Sequence, residues 1–205
     1  MKTILRGATG IVYFCIIQDM VRESEIWKTC KRYDVPGDAH ELTFSCYRNQ
    51  PFLLVDRTRL WLVDAIEAAR EKHRFHLWAW VFMPEHVHLL IWPATSNYSI
   101  GNILQSIKQP VGRFEITRAK KMDGERLDLM ATGLTKPPFR FWQEGGGYDK
   151  NMTADKTIRN AVEYIHNNPV RKGLVDSPEK WIWSSYKDWL DIGECPLAVD
   201  KDSFP

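Results

Sequence analysis

The chain has 205 residues, 44% hydrophobic and 26% charged, which is enough apolar material to bury a core and excludes wholesale disorder. Twenty-eight Lys+Arg against 26 Asp+Glu leave a net charge of +2, so the chain is no histone-like polycation, although a local basic groove stays open. Nine Trp, nine Phe and seven Tyr give 12% aromatic residues, a load that can fill a core, build an interface or stack on unpaired bases.

Residues 1–38 are of mixed character and end in the turn-like run Asp34-Val35-Pro36-Gly37-Asp38, so they read as an extension ahead of the domain proper. Within it, Ile11–Ile17 behind Lys2 and Arg6 faintly resembles a signal peptide. The run is short, and Gln18-Asp19-Met20-Val21-Arg22 stands where small cleavage-site residues belong. No apolar run approaches the roughly 20 residues that span a bilayer. Cys15, Cys30, Cys46 and Cys195 form no CxxC pair, which argues against a zinc ribbon, a zinc-dependent base deaminase and a thioredoxin-like site. They read as reduced thiols in a soluble, cytoplasmic protein with no membrane partner.

From His40, the run Glu41–Tyr47 alternates in part and predicts a strand, with Asn49-Gln50-Pro51 as its turn. Leu60, Val63, Ile66 and Ala69 recur at helical spacing and predict a helix over 56–73, with Asp56 as N-cap. Phe75–Met83 and His86–Trp92 are β-prone runs divided by Pro84-Glu85, the pattern of an antiparallel hairpin. Ile100, Ile103, Leu104, Ile107, Val111 and Phe114 predict an amphipathic helix over 99–120, strained by Pro110. The polar stretch 121–138 reads as a loop or mobile insert, 138–143 as a further strand and Gly145-Gly146-Gly147 as a flexible connector. Ile158, Val162 and Ile165 predict a helix over 154–168, stopped by Asn167-Asn168-Pro169. A short helix near 184–190 and a loose acidic tail over 191–205 complete the chain. This order of elements predicts an α+β fold with helices against an antiparallel sheet.

On a strand, His86 and His88 lie on one face with Val87 on the other, so the two imidazoles can share a divalent cation; a pair of surface or hydrogen-bonded histidines fits the pattern too. HExxH is absent, which removes support for helical metalloprotease chemistry. Tyr164 and Asn168 are four residues apart and stand one helical turn apart on the same face. Tyr164 is a credible covalent nucleophile beside a metal, and the Asn168 amide oxygen suits Mg²⁺ or Mn²⁺ better than zinc. The alternative is a helix-end Tyr with Asn167 and Asn168 as C-cap residues. Joined, the two motifs describe a metal site with a nucleophile, suited to transesterification of a phosphodiester.

The run Met83-Pro84-Glu85-His86-Val87-His88-Leu89-Leu90-Ile91, then Phe141-Trp142-Gln143, then Tyr164–Val175 and Trp181-Ile182-Trp183-Ser184-Ser185-Tyr186, resembles the REP-associated tyrosine transposases, single-tyrosine relatives of the insertion-sequence transposases with an HUH motif. The resemblance runs from about His40 to Trp189, within a catalytic domain over 39–190. It implies the HUH endonuclease fold, a ferredoxin-like or RRM-like antiparallel sheet with helices packed on it. It implies His86, His88 and Asn168 as ligands of Mg²⁺ or Mn²⁺ and Tyr164 as nucleophile. The implied reaction cuts single-stranded DNA at palindromic hairpins, leaves a 5′-phosphotyrosine and rejoins the strand, in a nucleoid-associated monomer or homodimer. The extension 1–38 and the insert 121–138 have no counterpart in that pattern.

Softer DNA-binding candidates are Lys108, Arg113, Arg118, Lys120 and Lys121 along the helix 99–120, with Arg171 and Lys172 beside the proposed site. Arg140 and Gln143 are further candidates for contact with a base or phosphate, and Trp142 is singled out as a base contact. His166, two residues from Tyr164, points to another side of the helix and reads as structural. The rival readings are a non-catalytic hairpin-DNA-binding protein derived from a transposase, and a metal-dependent nucleic-acid hydrolase using water.

Overall fold

Four antiparallel strands build one sheet in the order β2-β3-β1-β4: β1 (Ala39–Ser45), β2 (Phe75–Phe82), β3 (His86–Pro93) and β4 (Tyr148–Met152). The structure is a computed structural model and describes residues 33–145 and 147–205. Cys15, Cys30, the run 11–17 and most of the extension 1–38 therefore lie outside the described residues. Pro84-Glu85 turns β2 into β3, and the turn closes through Met83 N–H donating to His86 O at 2.8 Å. Register sets Thr43 beside His88 and His88 beside Val81, with Phe44, Val87 and Phe82 in the next row. Residues paired across strands share a face. Leu42, Phe44, Val87, Leu89, Trp80 and Phe82 therefore make one apolar face, and Thr43, His86 and His88 stand on the other.

Helices α1 (Asp56–His73) and α2 (Ile100–Met122) lie over the apolar face, joined through Leu62, Ile66, Ile103, Ile107 and Val111, all buried. α2 runs on through Pro110 without a break. Asp56 is the first residue of α1 and gives it no cap; its carboxylate instead accepts from Arg59 at 3.2 Å and from the Trp183 indole at 3.1 Å. Helix α4 (Asp155–Arg171) covers the opposite face. It runs past Pro169 to Arg171, where the proline forgoes only the bond its own N–H would make to Ile165 O near the helix end.

Three expectations are corrected. Residues 138–143 form no strand: Phe139 and Trp142 make only isolated bridges, to Ala131 and Cys46. The fourth strand is Tyr148–Met152, a polar edge segment whose Asp and Asn carry little β signal. It can reach β1 because residue 147 is glycine: at φ +73° its backbone comes so near that a Cβ would lie 1.9 Å from Thr43 O. The insert 121–138 is ordered. Helix α3 (Gly124–Leu129) is capped by Asp123 and sends Arg126 to Glu115, whose carboxylate is fully buried and also accepts from Thr58. The tail is not loose either. Asp200 N–H donates to Leu77 O, the Asp200 carboxylate accepts from Leu77 N–H, and Trp183 and Ser185 pair with Phe82 and Trp80. Those contacts occupy the free edge of β2, which would otherwise present unpaired backbone groups. The short helix α5 (Tyr186–Trp189) lies between them.

Candidate active site

His86 and His88 project from β3 toward α4, as alternation along a strand requires. Their Nε2 atoms lie 3.0 Å apart, and the Asn168 amide nitrogen is 3.0 Å from His88 Nε2. Tyr164, one turn before Asn168 on α4, sets its ring edge-to-face with the His88 ring at 5.8 Å. Tyr164 is 40% exposed, so substrate can reach it, whereas His88 and Asn168 are each 5% exposed. The Arg171 guanidinium lies 4.6 Å from the Tyr164 ring centroid. Two strand residues and two helix residues, 76 positions apart between His88 and Tyr164, thus meet at one point. His166 points elsewhere and hydrogen-bonds Ser185 at 2.9 Å inside the core.

Each imidazole is held from behind. His86 Nδ1 donates to the Glu85 carboxylate at 2.9 Å, and His88 Nδ1 is 2.8 Å from the Thr43 hydroxyl. Neither Thr43 nor Glu85 is evident from the sequence motifs. Glu85 is only the residue before His86, and Thr43 is found by the register that pairs it with His88. Burial, followed by the charges of His86, Arg171 and Lys172, pushes the His88 imidazole down to about 3, so it is neutral at physiological pH. Burial works to raise the Glu85 carboxyl. The hydrogen bond and charge of His86, the turn's own backbone and the Lys172 ammonium outweigh it, and the group stays below its ordinary value.

The donor set suits a hard divalent cation. Nε2 atoms 3.0 Å apart are close enough for both to bind one ion. Turning the Asn168 amide about its last bond brings Oδ1 to the place its nitrogen holds, adding an oxygen ligand without moving the helix. The far nitrogens already carry acceptors, the arrangement that fixes ligating imidazoles. Among the described residues no cluster of three His, Cys, Asp or Glu side chains assembles a cation site, so any such ion depends on the Asn168 amide.

Residues 38–168 match the family model described as "Transposase IS200 like". The chain belongs to the IS200-like transposase family. That membership places it among DNA-cleaving transposases. Within the family it is 26% identical over 141 residues to a Haemophilus influenzae protein described as a REP-associated tyrosine transposase, covering 65% of this chain and 76% of that protein. It is 23% identical over 167 residues to the Escherichia coli REP-associated tyrosine transposase, covering 82% of this chain and 87% of that one. A solved REP-associated tyrosine transposase bound to a REP hairpin superposes with a TM-score of 0.60, at 23% identity, over 84% of this chain and 92% of that one. That likeness carries the α+β fold, a four-stranded antiparallel sheet layered with helices. No helix among the described residues is long and apolar enough to cross a membrane.

In this transposase-family chain the softer candidates divide by position. Arg171 and Lys172 are exposed at the end of α4, beside Tyr164. Gln143 sits at the same end of the sheet: its N–H donates to Ser45 O, next to His86, and its side chain accepts from Arg48 N–H. Arg140 is half-buried and ion-paired with Glu144. Lys108, Arg113, Arg118, Lys120 and Lys121 ride on α2, which covers the face of the sheet away from Tyr164. Among them, the Lys108 ammonium reaches Gly145 O, Arg118 pairs with Asp123 at 3.6 Å, and Arg113 and Lys120 lie over the Phe114 and Phe139 rings. Trp142 is 8% exposed, meets the Phe44 and Phe141 rings edge-to-face, and donates its indole N–H to Lys108 O, so most of this side chain is packed into the fold.

Proposed function

We propose that the chain is a divalent-metal-dependent transesterase that cuts and rejoins single-stranded DNA at the foot of palindromic, REP-like hairpins. The observation that carries this reading is the meeting of His86, His88, Asn168 and Tyr164, with Nε2 of His88 3.0 Å from both of its polar neighbours. Tyr164 is the nucleophile. Its phenolic oxygen attacks the phosphorus, the P–O3′ bond breaks, the downstream fragment stays on Tyr164 through its 5′-phosphate as a phosphotyrosine, and the upstream fragment leaves with a free 3′-hydroxyl. The tyrosine surrenders its proton to solvent, and the departing O3′ takes one up. Attack by another 3′-hydroxyl on the phosphotyrosine reverses these steps, restoring the phenol and joining the strand without ATP. His86, His88 and Asn168 would hold Mg²⁺ or Mn²⁺, whose chemistry there is polarisation of the non-bridging phosphate oxygens.

The remaining groups serve binding. Arg171 and Lys172 place positive charge beside Tyr164, where the scissile phosphate must lie. The likeness to relatives that include a REP-hairpin complex supports a hairpin as the structured part of the substrate. All four central side chains can meet within one chain, a geometry open to a monomer or a homodimer alike. Incubation with an end-labelled single-stranded hairpin and Mn²⁺, resolved on denaturing gels, tests the reading. A covalent adduct formed by the wild type and lost in Tyr164→Phe is expected. Cleavage that persists in Tyr164→Phe assigns the attack to water. Hairpin binding without cleavage under any divalent metal assigns the chain to a non-catalytic role.

A further inference from the structure

We propose that Glu85 is a positioning residue: its carboxylate fixes the tautomer and orientation of His86, and supplies the negative charge that the neutral ligand set lacks. The inference rests on the metal-site reading above. Imidazole and amide ligands bring no negative charge to offset a divalent cation. Among the described residues Glu85 is the one carboxylate in hydrogen-bond contact with any of the three, through Oε1 at 2.9 Å from His86 Nδ1.

Three features separate this contact from a surface ion pair. Glu85 is 7% exposed, so its charge is felt at short range with little solvent screening. Its second oxygen, Oε2, is buried with no hydrogen-bond partner among the described residues. A buried carboxylate oxygen left unpaired is destabilising, and a neutral acceptor would hold an imidazole N–H at less expense. The turn that carries Glu85 is also fixed. Cys46 N–H donates to Glu85 O at 2.7 Å, Leu53 N–H to Pro84 O at 2.9 Å, and Met83 N–H to His86 O at 2.8 Å. The carboxylate is therefore presented to Nδ1 from a rigid backbone. With Nδ1 holding the proton, Nε2 is left with its lone pair directed at the shared point. An anionic partner on the far nitrogen also raises the basicity of that lone pair. Thr43 does the orienting for His88, but without charge, so the two imidazoles are supported unequally.

The test reads the tautomer first, in metal-free protein labelled with ¹⁵N-histidine. Wild-type His86 is expected as the Nδ1–H form, with an unprotonated Nε2 resonance. Finding His86 as the Nε2–H form in wild type overturns the proposal whatever any variant does. In Glu85→Leu the preference is expected to be lost. In Glu85→Gln, which keeps the shape and drops the charge, Mn²⁺ affinity followed by the EPR signal of free Mn²⁺ should fall about ten- to a hundred-fold. Thr43→Val, losing a neutral contact, is expected to fall less. Folded Glu85→Gln with wild-type Mn²⁺ affinity would sink the charge argument. Wild type that shows the Nδ1–H form yet binds no Mn²⁺ removes the metal-site reading and leaves the tautomer assignment standing.

Discussion

Gly147→Ala is the substitution that most sharply tests how the sheet supports the site. Two separate penalties meet there. A φ of +73° is uncommon for any residue with a Cβ, and holding alanine in it costs about 1 kcal/mol. The new methyl would also lie 1.9 Å from Thr43 O, deep inside the 3.4 Å at which ordinary contact begins. Backbone must move by more than an ångström, and the group displaced is the carbonyl of Thr43 in β1, whose hydroxyl holds His88. Forced overpacking of this kind costs typically about 1–3 kcal/mol beyond the strain. The sum, about 2–4 kcal/mol, corresponds to a fall in Tm on the order of 5–15 °C for a chain of this size. Gly145→Ala is the control. Its φ is +89° with nothing within 4 Å of the added carbon, so it carries the backbone strain without the clash. Thermal unfolding by circular dichroism should show Gly147→Ala well below Gly145→Ala. Equal melting temperatures for the two variants would refute the argument that the close approach of β4 to Thr43 is a tight one.

Arg126→Met leaves Glu115 buried without its closest cation, since Arg57 stands farther off at 3.8 Å; urea titration should show a loss of about 3–5 kcal/mol, and the double variant Arg126→Met with Glu115→Leu should recover much of it. Burial pushes His166 from its ordinary 6.5 down to about 4, so the unfolded chain binds a proton that the native one excludes. Stability from this group is complete above about pH 6.5 and falls as pH drops toward 4, by about 3 kcal/mol; His166→Gln should flatten that part of a Tm-against-pH profile. Trp142→Leu should lower stability while leaving hairpin affinity within about two-fold, because its ring is packed and its N–H is bonded to Lys108 O; a large loss of affinity in the folded variant would return Trp142 to the DNA surface.

The hairpin and three of the helices were legible because their apolar periodicities are strong and their breaks are marked by Pro, Asn and Ser. Two residues between β-prone runs left little alternative to β2–β3. What stayed hidden depended on partners distant in sequence. Strand β4 has only Asp149 and Met152 buried, and its Asp149 is held by His40, 109 residues earlier. The insert 121–138 looked like a loop because it is polar. Its polarity has a destination, however: Arg126 satisfies Glu115, itself a charged residue inside an otherwise apolar helix face, and no local pattern links the two. Tail residues 191–205 are acidic, yet Asp200 serves as a backbone cap for β2, alongside an ion pair to Arg70.

At the site, spacing rules alone place His86 with His88 and Tyr164 with Asn168, because i,i+2 on a strand and i,i+4 on a helix each define a face. Spacing does not say that the two faces meet, and it is silent on Glu85 and Thr43. The same register explains the aromatic load. The indoles of Trp78, Trp80, Trp92, Trp142, Trp181, Trp183 and Trp189 each donate to a protein acceptor, most to a backbone carbonyl of another element. They act as polar-tipped wedges that lock the tail, the edge of β2 and α2 in place. A one-residue slip of β3 would turn both histidines into the apolar face, and these wedges hold the register against it. The aromatic surplus is thus spent on holding strands still, and the ring left open beside the paired imidazoles is Tyr164.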